Sequence, residues 1–136
     1  MVVDTSALMA FFDAKDRDHA RVEKCLMAAP RPLVVSSYVV AELDYLVLTR
    51  YGVHAEVAAL TALNTPAWRI TSLEPDELTE AINLVSRYED ERIGLADAAN
   101  VVLARRYATR QIATLDRRHF SVLRFSDGSA VDIVPS

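Results

Sequence analysis

Apolar and polar positions alternate in short blocks along this chain, and the blocks switch between two lengths. Val2-Val3 is a short buried strand candidate, stopped at once by Asp4-Thr5-Ser6. Residues from about Ala7 to Asp13 suit a helix, and a second helix is expected over Asp16 to Ala28, ended by Pro30 and Pro32. Leu33-Val34-Val35 reads as a strand. Ser36 or Ser37 can cap a helix that runs to about Arg50 and stops at Gly52. Val53 to Leu63 continues as another helix, and Trp68-Arg69-Ile70 reads as a short strand. Pro75 suits the first turn of a helix reaching about Asp90. Gly94 breaks the chain before a strongly helical run from Leu95 to Tyr107, and Gln111 to Leu115 and Val131 to Val134 read as the last strands. Strands that alternate with helices predict an α/β fold with a central, mainly parallel sheet flanked by helices.

The 136 residues fit one domain, 1–136, and 51% hydrophobic content allows a core without disulfides. The one cysteine, Cys25, has no internal partner and suits a reducing cytoplasm. No apolar run approaches the roughly 20 residues needed to span a bilayer, and Met1-Val2-Val3-Asp4 lacks the basic start of a signal peptide. A cytoplasmic protein with no membrane partner is therefore expected. The net charge of -4 argues at first against a nucleic-acid partner. It comes from 19 acidic and 15 basic residues, so four acids that held cations would leave the two signs balanced.

Four acids stand among apolar neighbours: Asp4 after Val2-Val3, Glu42 in Val39-Val40-Ala41-Glu42-Leu43, Asp97 in Gly94-Leu95-Ala96-Asp97-Ala98, and Asp116 after Thr114-Leu115. Acids are seldom buried without partners. Asp4 and Asp116 follow strand candidates, and the carboxyl ends of strands are where open α/β sheets bind ligands. Asp97 falls in a first helical turn, where the helix dipole favours negative charge. Taken singly, Asp4 and Asp97 can be plain helix-start acids and Asp116 a turn residue. If the four converge, each pair about 5 Å apart repels by roughly 3 kcal/mol at an effective dielectric near 20. Such a cluster requires protons or cations, and oxygen ligands select Mg²⁺ or Mn²⁺. His19, His54 and His119 are scattered and offer no zinc spacing.

Together with Asp4-Thr5-Ser6-Ala7-Leu8 and Thr114-Leu115-Asp116-Arg117-Arg118-His119-Phe120, these segments resemble the PIN-domain nucleases, and more closely the VapC toxins of toxin–antitoxin pairs. The resemblance runs over essentially the whole chain. It implies a PIN fold and a metal-dependent endoribonuclease that inhibits translation by cutting structured RNA such as tRNA or ribosomal RNA. Asp4, Glu42, Asp97 and Asp116 match the family's acidic positions, with Asp4 and Asp97 at its most consistently metal-binding ones. Ser6 and Thr114 match small hydroxyl positions beside the metals. The resemblance also implies one or two Mg²⁺ or Mn²⁺ ions, a VapB-type antitoxin and a homodimer. Arg117 and Arg118, directly after Asp116, are candidate phosphate contacts at the rim. Tyr38, Tyr45 and Trp68 are aromatic candidates for base stacking, with packing as their plainer role.

Other classes fit less well. A phospho-receiver domain needs a lysine after a late strand, and both lysines, Lys15 and Lys24, come early. A PIN-like module that binds RNA or a protein without cutting would not need the full acidic set. A DNA nuclease shares the acidic chemistry, which does not read the sugar.

Overall fold

The computed structural model describes all residues from Met1 to Ser136. Five strands carry the fold: β1 (Val2–Val3), β2 (Leu33–Ser36), β3 (Trp68–Thr71), β4 (Gln111–Ala113) and β5 (Asp132–Val134). Every pairing is parallel, and the spatial order is β3-β2-β1-β4-β5. The helices are α1 (Thr5–Phe12), α2 (His19–Ala28), α3 (Ser37–Tyr51), α4 (Val53–Leu63), α5 (Pro75–Arg87), α6 (Leu95–Arg106) and α7 (Arg117–Phe120), with a 3-10 turn at Glu89–Glu91.

The strands are short apolar runs because helices cover both faces of the sheet. Side chains alternate between the faces. Val2, Val34 and Ile112 join the core with Ala98, Val102, Leu103 and Phe120. Val3, Val35 and Ala113 join the other core with Leu8, Leu26, Leu43 and Leu63. Strand order decides where chemistry can sit. The chain builds outward from β1 to β3, then crosses back through α5 and α6 to lay β4 on the opposite side of β1. The order reverses between β1 and β4, and the crevice beyond their carboxyl ends is the natural ligand site of such a sheet.

Several element ends differ from the sequence expectation, each for a local reason. The second helix starts at His19 rather than Asp16. Asp13 and Asp16 accept from the backbone N–H groups of Lys15 (3.0 Å) and Asp18 (2.8 Å), and these turns compete with helix. The β4 ladder ends one residue past Ala113: the Thr114 N–H still donates to the Val134 carbonyl (2.9 Å), and the N–H groups after it go to side chains, Leu115 to Ser6 Oγ (2.9 Å) and Asp116 to Thr114 Oγ1 (3.0 Å). Helix α5 stops at Arg87, and the chain passes through the 3-10 turn to Arg92 in the left-handed region (φ 52°). Gly52, at φ 90°, ends α3 and opens α4, a backbone state that suits glycine. Helix α7 has no counterpart in the sequence reading.

A polar lock fixes α6 against its neighbours. Glu77 of α5 is buried, and both its carboxylate oxygens accept from the Arg106 guanidinium at the end of α6. Arg106 also donates to Thr71 Oγ1 and to the Ser72 carbonyl, both at 2.8 Å, so α5, α6 and the end of β3 share one guanidinium. These hydrogen bonds and the Arg106 charge hold the Glu77 carboxyl down to about 2. Its pKa in the unfolded chain is near 4.5, so folding favours the ionised form. That contribution is complete above about pH 4.5 and is lost as pH falls towards 2. It amounts to about 3 kcal/mol at most. In denaturant titrations between pH 5 and pH 2, Glu77→Gln is expected to lose stability less steeply than the wild type. Parallel pH slopes for the two proteins would contradict the role given to this pair.

Candidate active site

The fold places Asp4 by backbone first. Its N–H donates to the Ala113 carbonyl at 2.9 Å, so the residue continues the β1–β4 ladder. It occupies the N-cap position of α1, yet its side chain caps nothing. The carboxylate instead accepts from Thr114 Oγ1 (2.8 Å), Ser6 Oγ (3.1 Å) and Asn100 Nδ2 (3.0 Å). Ser6 and Thr114 each also accept a backbone N–H from the exit of β4. A hydroxyl has one hydrogen, and here each is aimed at Asp4. Asp4 is 5% exposed. Burial pushes its pKa up to about 6, with the Thr114 bond opposing and the neighbouring charge of Asp97 adding to the rise.

Asp97 lies in the first turn of α6, where Oδ2 accepts from the Gly94 N–H (3.4 Å) and from His119 Nδ1 (3.0 Å). Burial raises its pKa as well. Asp116 is the N-cap of α7, and its Oδ1 accepts the His119 backbone N–H at 3.3 Å. The His119 ring faces both acids, with Nδ1 also 3.3 Å from Asp116 Oδ2. One ligand atom from each of Asp97, Asp116 and His119 falls within a 4.8 Å group.

Asp4, Ser6, Glu42, Asp97 and Asp116 line a single open cleft of about 310 Å³, with Met9, Leu46 and Arg50. The four acids expected to meet do share one site, and Thr114 lies directly beneath it, 1% exposed. Glu42 arrives there for a reason opposite to the one its apolar flanks suggested. Val39, Leu43 and Val47 form the buried face of α3, and Glu42 projects from the exposed face onto the rim.

Arg117 and Arg118 do not line the cleft. Arg117 donates to the Pro135 carbonyl at 2.8 Å and ties α7 to the end of the chain, while Arg118 is exposed. The cation facing the acids is Arg50, two turns beyond Glu42 on α3. It is exposed and makes no ion pair or side-chain hydrogen bond. Trp68 packs edge-on against Phe11, with ring centroids 5.6 Å apart, which is a packing role.

Sequence reasoning misses Asn100 as part of the site, and it offers His119 only as a packing, surface or substrate contact, not as a partner of the acids. Asn100 left a signal: it is the one polar residue in the run from Ala98 to Ala104, and it is fully buried with its Oδ1 unpartnered. His119 left none without α7.

The sequence model of the PIN domain matches residues 1–125. Ribonuclease VapC26 of Mycobacterium tuberculosis is 55% identical over 135 residues, spanning 99% of this chain and all of the relative. Among solved structures, Mycobacterium tuberculosis VapC20, described as a sarcin–ricin loop cleaving toxin, superposes with a TM-score of 0.77 at 23% identity, covering 85% of this chain and 88% of that one. A toxin–antitoxin complex from Klebsiella pneumoniae gives 0.71 at 19% identity, covering 90% and 91%. FitAcB from Neisseria gonorrhoeae gives 0.63 at 20% identity, covering 88% and 89%. At these identities the structural likenesses speak for the fold.

The hydroxyl of Thr114 touches Asp4, Ser6 and the Asp116 N–H together. Thr114→Val keeps the shape and strands these groups in a buried place, which is expected to destabilise the protein by about 1–3 kcal/mol. Urea unfolding measures it, and an unchanged midpoint would contradict the network.

Proposed function

The chain belongs to the PIN-domain family, in its VapC branch, and we propose that it is a metal-dependent endoribonuclease that cuts structured RNA. The observation that carries this reading is the convergence of four carboxylates, from residues 4 to 116, on one cleft at the reversal of strand order. The PIN unit is taken as residues 1–136. The family link to ribonuclease VapC26 supports RNA as substrate. Translation is the process stopped, through tRNA or ribosomal RNA, and the cytoplasm is the place of action. No helix of the protein is long and apolar enough to cross a membrane.

The donor set fits a hard cation, one ion or two. Its carboxylate oxygens are those that Mg²⁺ and Mn²⁺ prefer, and the four acids share one cleft, where the pKa values of Asp4 and Asp97 are raised chiefly by burial and further by a neighbouring carboxylate. Asp4, Asp97, Asp116 and Glu42 would hold the metal, which when bound supplies positive charge and activates water for attack on a phosphodiester. Ser6 and Thr114 hold Asp4 Oδ2 and Asn100 holds Oδ1, so the three donors fix the orientation of the carboxylate. Glu42, free at the rim, adjusts to what enters. Arg50 meets the incoming phosphate, because a guanidinium fork suits phosphate oxygens and this one has no partner to surrender.

A VapB-type antitoxin is the proposed inhibitor. An apolar groove of about 260 Å³ between α1, α3 and α4 is lined by Phe12, Val47, Tyr51 and Ala59, and Met9 lines both this groove and the acidic cleft. An apolar antitoxin segment laid in the groove would end at the acids. The fold shared with a toxin–antitoxin complex supports this partner. Exposed Tyr45, Leu48, Val53 and Val57 on α3 and α4 support a homodimer, which sedimentation at micromolar concentration checks.

Purified protein is expected to cut structured RNA in Mg²⁺ or Mn²⁺ and not in chelator. Asp97→Asn should lower cleavage by at least about a hundredfold, since metal-based stabilisation is worth several kcal/mol. Equal cutting of DNA, or undiminished turnover in Asp97→Asn, would overturn the reading. Mapping the cut ends in total RNA identifies the target. Arg50→Ala is expected to raise KM roughly tenfold, the scale of one charged hydrogen bond, with kcat little changed. An unaltered KM would remove Arg50 from the substrate path.

A further inference from the structure

We infer that His119 is a positioning residue: its Nδ1–H bridges Asp97 and Asp116 and sets the separation at which the two carboxylates accept a divalent ion. This deepens the proposed function and rests on it.

The three deeper acids of the cleft are held in two ways. Asp4 has three donors of its own in Thr114, Ser6 and Asn100. Asp97 has only the long Gly94 contact besides His119, and the Asp116 carboxylate has only His119. His119 thus does for the second pair what Thr114, Ser6 and Asn100 do for Asp4. Its Nδ1 lies 3.0 Å from Asp97 Oδ2 and 3.3 Å from Asp116 Oδ2. Ionised carboxylates only accept, so the hydrogen belongs on Nδ1. Without that bridge the two like charges, whose ligand atoms lie within 4.8 Å of one another, repel with nothing between them. The Asp116 side chain is 37% exposed and has room to turn away.

Helix α7 gives the residue this reach. Asp116 caps α7 and His119 is its third residue, so backbone and ring of one residue hold the same carboxylate. Phe120, the next residue, is fully buried and anchors the turn in the core. The ring is the less suitable direct ligand, because hard ions take oxygen. Partners that orient ligating groups are typically worth 10–100-fold in metal affinity or activity.

The test is Mn²⁺ affinity, read by titration calorimetry and by the EPR signal of free Mn²⁺, for the wild type, His119→Ala and His119→Asn. The asparagine amide nitrogen takes the place of Nδ1. His119→Ala is expected to bind Mn²⁺ about 10–100-fold more weakly, and His119→Asn to recover most of that loss. Cleavage by His119→Ala should return towards the wild-type rate at saturating Mn²⁺. The ring is partly exposed, so both variants should unfold near the wild-type temperature in chelator. Unchanged Mn²⁺ affinity in His119→Ala overturns the inference, and so does cleavage lost at every Mn²⁺ concentration, which would make His119 a substrate contact. His119→Asn as weak as His119→Ala removes the donor role. A wild type that binds no Mn²⁺ overturns the metal-dependent reading itself, and this inference with it.

Discussion

Ionisable carboxylates kept next to one another at the edge of a hydrophobic core are the constraint from which the rest of this structure follows. Asp4 meets it most severely. With little access to water, its charge depends on donors supplied by the protein, and these come from three places: Ser6 on α1, Asn100 on α6 and Thr114 after β4. No single segment has all three. They come together because the strand order sets β1 beside β4 and lays α6 across the sheet. Topology supplies the donors, and the donors make the buried acid tolerable.

From that fixed point the cleft opens in steps. The Asp97 side chain is 16% exposed and the Asp116 side chain 37%, and Glu42 projects from the outer face of α3. Rigidity falls along the same path, from three side-chain donors on Asp4 to none on Glu42. A site graded in this way has a tethered floor and an untethered rim. In the proposed function the floor would set the place of the cation, and the rim would admit RNA to a negatively charged protein. Arg50 stands on that rim as its one cation.

Much of this was legible in the sequence, and the misses share a cause. The short valine strands, the α4 boundaries and the helical run before Arg106 follow from local pattern, because hydrophobic period and glycine act over a few residues. The settings of the four acids were weak signals singly and gained force from the resemblance, and the premise for Glu42 fails although it lines the cleft: apolar flanks on a helix lie on other faces. Arg117 and Arg118 looked well placed beside Asp116, but the turn of α7 sends Arg117 to Pro135 and brings His119 inward. That turn exists because Asp116 caps it and Phe120 finds the core, which is tertiary information. Arg50 and Asn100 belong to the site only through packing between elements, and sequence separation hides this.

The Glu77–Arg106 pair explains why a core already short of places for charge accepts two more. Asp97 and Arg106 lie at opposite ends of α6, nine residues apart, or about 13–14 Å along the axis. Between them the helix is mostly buried and apolar, with two directional contacts of its own: Asn100 donates to Asp4 at 3.0 Å, and exposed Arg105 pairs with Glu80 of α5. A guanidinium that donates to α5 and to the end of β3 fixes the axial position of α6 in a way that alanine and valine contacts do not. Directional bonds at the Arg106 end act together with the Asn100–Asp4 bond to hold the depth at which Asp97 enters the cleft. Replacing the pair by apolar residues of equal volume need not weaken the fold. It would leave the register of α6 to Asn100 and Arg105 alone, and any shift at Asp97 alters its distance to the other acids of the cleft.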